Sequence, residues 1–311
     1  MGKSLIQFQE GLNLIDFLQQ YGNEERCREE LFKLKWPHGF SCPYCSNNTY
    51  CKHTRNKQLQ CNKCKHKTSI ISNTIFHSTK LPLTKWFLAI YLMTQSKNGI
   101  SQMELKRQLG VSINTAALLY HKIAQTMMER ENTKPLSGDI EADDAYWGGY
   151  KKGKRGRGST NKIPFIAAVE KREGKPQYIK LTVVPHFRKA AVKEWLLSNI
   201  CIGSNLRTDG LSCFTEIANH GCIHEQLIVG NSSDSVKTAP FNWVNTILGN
   251  LKNSLRGTFH KLHPNHLARH LATFAYRFNR RFSLHNMVTR LLFVGLRTPP
   301  VPRRMITVDS G

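Results

Sequence analysis

Apolar residues recur at helical spacing through residues 1 to 35 (Leu12, Leu14, Ile15, Phe17, Leu18, then Leu31, Phe32, Leu34). The break at Tyr21-Gly22-Asn23 predicts a short helical pair. Residues 36 to 78 are rich in Cys, Lys, Asn and His and poor in large aliphatics, so they cannot build a core without a staple. From Leu83 to Met128 the pattern is helical again, as WFLAIYLMTQ, ISQMELKRQLGV and SINTAALLYHKIAQTMM. Gly110-Val111-Ser112 forms a turn between the last two, and Ser112 caps the helix that follows. Beyond the polar connector ERENTKPLSG the period shortens to that of strands: IEADDAYWGG, IPFIAAVE and QYIKLTVV. A helix over Lys189 to Asn199, a short strand NLRTD, a helix LSCFTEIANH and an apolar run QLIV come next. Two longer helices, near 243 to 256 and 265 to 281, complete the pattern.

Strands followed by helices give an α+β class. The predicted organisation is a helical preface (1–35), a cysteine-rich module (36–78), a helical segment (83–130), a mixed α+β domain (137–290) and a tail (291–311). Charge narrows the partners. Against 21 Asp+Glu stand 45 Lys+Arg, a formal +24 that concentrates polyanions, and nucleic acid leads that class. The first residues lack a basic stretch followed by an apolar run, and no segment reaches the roughly 18 to 20 apolar residues of a membrane span. A cytoplasmic, nucleoid-associated protein without membrane contact is expected.

The 9 cysteines include two CxxC pairs, Cys42-Cys45 and Cys61-Cys64, separated by the 15 residues of 46–60. Each pair puts two sulfurs on one tight turn, and four thiolates close a tetrahedron around one structural zinc. Cys51 and His66 are read as surface residues beside it. A closed site leaves no open coordination position, so this zinc serves folding and DNA contact rather than chemistry. In the next segment, helix, Gly-containing turn, Ser cap and helix follow the order of a helix-turn-helix. Its second helix would offer Ser112, Asn114 and Thr115 to a DNA groove, with Leu105, Leu109, Val111, Ala116 and Leu119 as packing face.

In the α+β domain, Asp143 lies on a strand where a carboxylate is costly unless it binds a cation, and Asp209 ends the strand NLRTDG, a position where ligand sites gather. Two such carboxylates can share Mg²⁺, which requires oxygen ligands and supports phosphodiester chemistry. The adjacent Asp144 points to the opposite strand face, and Glu141 shares the face of Asp143, either beside the ligands or in solvent. Glu225 and Asp234 are weaker candidates for a further carboxylate.

The array CPYC, CNKC, IEADDAYWGG, RTDG and WVNTILGNLKNSLRGTFH with HLARHLATFAYRFNRR resembles the zinc-ribbon insertion-sequence transposases with an ISXO-like catalytic domain, from about residue 20 to 285. The resemblance implies a ribonuclease H-like fold, a DNA transposase that cuts element ends and transfers strands with Mg²⁺ or Mn²⁺, and at least a dimer in the DNA complex. Residue by residue it implies Asp143, Asp209, Asn245 and Lys252 as the catalytic set. Many relatives carry Glu at the third position, whereas Asn245 stands here, seven residues and two turns before Lys252 on one helix face. An amide oxygen binds a hard cation without adding charge, so the site carries less negative charge than usual. Asn250 lies on another face. The basic run containing Lys151, Lys152, Lys154, Arg155 and Arg157 follows the first acidic strand and suits phosphate contact. On the last helix Arg277, Arg280 and Arg281 suit phosphate or the helix C-terminus, and the cluster His260, His263, His266 and His270 is read as structural. The rival class is a non-catalytic zinc-ribbon regulator or decayed transposase.

Overall fold

The computed structural model describes residues 11–53, 57–148, 162–227, 241–259 and 262–306. The chain divides into two compact units, Met1–Thr126 with Arg281–Gly311, and Met127–Arg280.

In the first unit α1 (Leu14–Tyr21) and α2 (Glu24–Lys35) form the expected pair. Asn13 caps the first, its side chain accepting from the Asp16 amide, and Asn23 caps the second through the Arg26 amide. Three strands, β1 (Tyr50–His53), β2 (Gln58–Cys61) and β3 (Lys67–Thr68), make the antiparallel ribbon in the order β1-β2-β3. The end of α2 packs on that ribbon, whereas α1 sets Phe17 against Tyr91 and Tyr21 against Phe87. Phe32 and Trp36, at the end of α2, pack with Phe40 and Tyr50 at ring separations of 4.7 to 6.0 Å, over a core of Phe40, Leu59 and two of the cysteines. Next come α3 (Leu83–Gln95), α4 (Gln102–Leu109) and α5 (Ile113–Asn132). Gly110 ends α4 in the left-handed conformation at φ 59°, and Ser112 accepts from the Thr115 amide at 3.2 Å. Leu105, Leu109, Ala116 and Leu119 are buried as the helical period requires.

The second unit is built on a five-stranded sheet in the order β6-β5-β4-β7-β8. β4 (Asp139–Trp147), β5 (Ile163–Arg172) and β6 (Lys175–Val183) are antiparallel neighbours. The last two are joined at Glu173-Gly174, both with positive φ (53° and 70°), the backbone of a tight hairpin turn. β7 (Asn205–Thr208) is parallel to β4, and β8 (Ile223–Gln226) is parallel to β7. A three-strand meander with two parallel strands added beside its first strand is the ribonuclease H-like arrangement, and the fold class is as expected. α6 (Lys189–Asn199) covers one face through Val192, Trp195 and Leu196 against Ile140, Ala142, Ile166 and Leu206. α8 (Asn242–Thr258) and α9 (Leu267–Asn279) cover the other. They press Val244, Ile247, Leu251, Leu255 and Leu271 onto Ala145, Phe165, Ala167 and Val169.

Three expectations change. The helix LSCFTEIANH is a 3-10 turn over Ser212–Thr215 followed by the single-turn α7 (Glu216–Asn219). The fifth strand is IHEQ, set by parallel pairing to Asn205–Thr208, so that it ends at Gln226, the first residue of the run QLIV, and Leu227 lies beyond it. The expected tail begins inside α10 (Met287–Gly295), whose Val288, Leu291 and Leu292 are buried in the first unit together with α2 and α3.

Candidate functional site

The cysteine site combines two local turns with the strand pairing that sets them side by side, since β1 pairs with β2 from Tyr50 opposite Cys61 and Asn47 Nδ2 donates to Cys61 Sγ at 3.5 Å. Each CxxC turn closes with a backbone bond from the residue after it, Ser46 N–H to the Cys42 carbonyl at 2.9 Å and Lys65 N–H to the Cys61 carbonyl at 3.1 Å. Both closing residues take left-handed φ, 57° and 61°. Across the two turns, Cys42 and Cys64 lie 3.6 Å apart, Cys45 and Cys61 3.6 Å, and all four sulfurs fall within 4.8 Å of one another. A zinc tetrahedron with Zn–S of about 2.3 Å has edges of about 3.8 Å, so the four sulfurs fit one ion. Burial opposes the Cys61 thiolate, yet the backbone N–H groups of Cys64 and Lys63 outweigh it and hold the thiol down at about 6. Cys51 is exposed on β1, and His66 stacks on Tyr44 at 5.9 Å; neither joins the four sulfurs.

The acidic site arises from strand order. β4 and β7 run parallel with Glu141 opposite Arg207 as their last pair, and Asp143 and Asp209 each lie two residues farther on. The two carboxylates therefore emerge side by side where the strands part. Alternation sends Asp144 to the other face, but β4 has no β7 partner beyond Glu141. With that edge open, carboxylate oxygens of Asp143, Asp144 and Asp209 all lie within 4.8 Å of one another. Burial first, then the charges of Asp144 and Asp209, push the Asp143 carboxyl up to about 7. A backbone hydrogen bond at Asp144 and the Lys252 ammonium pull the other way. Three crowded carboxylates form a hard oxygen donor set, which suits a divalent ion such as Mg²⁺ or Mn²⁺.

Asn245 and Lys252 lie on α8, flanking its buried stripe, both half-buried. Lys252 stands near enough to act on Asp143. Asn245 occupies the first turn, next to Val244, whose amide is bonded to Glu141 on β4. Asn250 is exposed. Glu225, a candidate carboxylate, is instead paired across the sheet with Arg207, which donates Nε at 3.0 Å and Nη2 at 2.8 Å to one of its oxygens. Ser112 and Asn114 are exposed at the start of α5 and Thr115 is half-buried, so that helix end presents polar groups outward. Lys151, Lys152, Lys154, Arg155, Arg157, Asp234 and His260 lie outside the described residues.

Two further groups resolve into structural roles. Arg280 donates to the Glu131 carboxylate at 2.5 Å and to the Tyr276 carbonyl at 3.1 Å, closing the end of α9. His263 caps a 3-10 turn by accepting from the Asn265 amide. His270 is buried with its ring 4.4 Å from that of Phe259, and burial, then the nearby His266, hold its imidazole down at about 3. Glu141 is the residue that sequence reasoning left undecided: its side chain is 1% exposed and bonded to the amides of Trp243 and Val244. The available signal was Phe241, a residue with no capping oxygen ahead of a long helix.

Comparison with known proteins agrees with this division of the chain. Residues 22–67 match the transposase zinc-ribbon domain and residues 135–279 the ISXO2-like transposase domain. A curated relative, an uncharacterized protein in transposable element ISH50 of Halobacterium salinarum, is 25% identical over 144 residues, 45% of this chain and 46% of its own length. The chain thus spans about half the length of that relative. Solved structures with partial likeness are the Mos1 strand transfer complex (11% identical, 63% of this chain and 77% of that one, TM-score 0.22) and a pre-cleavage Mos1 transpososome (10%, 63% and 78%, TM-score 0.22). No helix among the described residues is long and apolar enough to cross a membrane.

Proposed function

We propose that this chain, which matches the transposase zinc-ribbon and ISXO2-like transposase domains, cuts DNA at the ends of an insertion sequence and joins the freed 3′-hydroxyl to target DNA. The observation that carries this reading is the meeting of Asp143, Asp144 and Asp209 at the parting of two parallel strands, with Lys252 acting on the same carboxylate.

In this reading Asp143 and Asp209 hold Mg²⁺ or Mn²⁺, with the Asn245 amide oxygen as third protein ligand. Asp144 adds negative charge beside them, which offsets the neutrality of Asn245. The bound ion supplies activation of the attacking hydroxyl and neutralisation of charge at the leaving oxygen. Lys252 holds a non-bridging phosphate oxygen, so that the phosphodiester is presented for in-line attack and its charge is shared with a cation. No side chain forms a covalent bond to DNA; the carboxylates orient and the lysine clamps. Binding is divided among other parts. The zinc held by the four cysteines orders the ribbon, Ser112, Asn114 and Thr115 face a groove, and Lys151, Lys152, Lys154, Arg155 and Arg157 grip backbone near the site. The partner is DNA bearing the terminal repeats, the assembly at least a dimer because two ends must be joined together, and the place of action the cytoplasm and nucleoid.

The test is strand cleavage and joining on the element's own ends with Mg²⁺ or Mn²⁺, comparing wild type with Asp143→Ala, Asp209→Ala, Asn245→Ala and Lys252→Ala. Loss of both reactions with DNA binding retained is the expected result. A wild type that binds the ends and never cuts them makes the chain a zinc-ribbon regulator, and unaltered cleavage by Asn245→Ala removes that residue from the site.

A further inference from the structure

Among the described residues, no neighbouring side chain caps the start of α8. The first amides of a helix have no partner within it, and the side chain in the capping position, that of Phe241, carries no oxygen to accept from them. The missing acceptor comes from about a hundred residues earlier in the chain. One carboxylate oxygen of Glu141 accepts from the amides of both Trp243 and Val244, at 3.1 Å each, and the other oxygen meets the Lys171 ammonium at 3.2 Å. A buried carboxylate is tolerated only when its oxygens are satisfied, and here two helix donors and one cation do so. The Trp243 indole gives a second fastening to the same sheet, donating to the Gly174 carbonyl of the β5–β6 turn at 2.8 Å.

The position of this clamp gives it a further role. Glu141 is two residues before Asp143 on the same strand face, and the amides it holds are those just before Asn245. Lys252 lies two turns farther along the same helix. One rigid strand thus carries both a proposed metal ligand and the anchor for the helix that brings the other two groups.

We infer that Glu141 is a positioning residue, fixing α8 on β4 so that Asn245 and Lys252 meet Asp143 and Asp209; this rests on the function proposed above. The strand-to-helix clamp sets the spacing of the two halves of the site, since a side chain one methylene shorter or absent releases the first turn where Asn245 sits.

The experiment uses the full chain. Glu141→Ala is compared with wild type and with Glu141→Gln combined with Lys171→Met, which keeps an acceptor for the two amides and removes the cation left without its partner. Three readouts are taken below the melting transition: hydrogen exchange at Trp243 to Asn245, Mn²⁺ affinity without DNA, and the kcat and KM of end cleavage. Glu141→Ala should exchange faster at those amides, bind Mn²⁺ more weakly and lose about 10- to 100-fold in kcat at unchanged KM for DNA, the scale of supporting groups around metal sites. The double variant should recover most of all three. Unaltered exchange at those amides in Glu141→Ala, or a lower melting temperature with wild-type kcat and Mn²⁺ affinity, overturns the inference. The exchange readout involves neither DNA nor metal, so it decides whether the clamp exists even if wild type neither binds Mn²⁺ nor cuts, the outcome that defeats the functional reading. Should Glu141→Ala fail to fold, Glu141→Asp takes its place: its carboxylate retains the charge and falls short of the amides, and wild-type kcat and exchange in that variant refute the positioning role.

Discussion

The sharpest consequence of the acidic cluster is a proton released when metal binds. With its carboxyl up at about 7, Asp143 is largely protonated below neutrality, and a cation bound to its oxygens must displace that proton. For one site at that value, the released protons per metal are about 0.9 at pH 6, about 0.5 at pH 7 and about 0.1 at pH 8, and apparent affinity is weakened about 11-fold at pH 6 against about 1.1-fold at pH 8. Calorimetric titration of Mn²⁺ in two buffers of different ionisation enthalpy reads the proton count directly. The Lys252 ammonium favours the ionised carboxylate, so Lys252→Met should raise the value further and increase the proton count at pH 7 and 8. The same shift has a stability sign. A carboxyl raised from its ordinary 3.8 stabilises the metal-free fold fully below that value, and the contribution is lost as pH rises through about 7; Mn²⁺ then restores stability above it. A proton count near zero at pH 6, or an affinity that does not change between pH 6 and 8, refutes the electrostatic account of the site.

Two other outcomes follow from local geometry. Cys61→Ser or strong chelation should release about one zinc per chain, seen by native mass spectrometry, and open the ribbon to proteolysis while the 127–280 unit stays protected; retained protection of residues 36–68 would contradict a zinc-held ribbon. Gly110→Ala should lower stability by about 1 kcal/mol in chemical denaturation, because only the left-handed backbone is strained and no atom lies within 4 Å of the added carbon; a loss above about 3 kcal/mol would require a clash that the structure lacks.

Parts whose causes are local were readable from the order of residues. Each CxxC turn positions its own two sulfurs through a bond that spans a few residues, Ser112 and Asn23 cap the helices that directly follow them, and the burial of Leu105, Leu109, Ala116 and Leu119 follows from helical period. Asp143 and Asp209 were legible as well, because a carboxylate in a strand and another at a strand end are costly placements unless they bind something. Which groups join them depended on strand pairing and packing. Pairing between β4 and β7 stops at Glu141, and that open edge lets Asp144 turn toward the other two against simple alternation. Arg207 claims Glu225 because parallel register puts the two opposite each other, which no spacing along the chain reveals. Glu141 and the start of α8 make the same point across a hundred residues. The free energy of a buried charge depends on the partners that the fold brings to it, and those partners lie on other strands and helices.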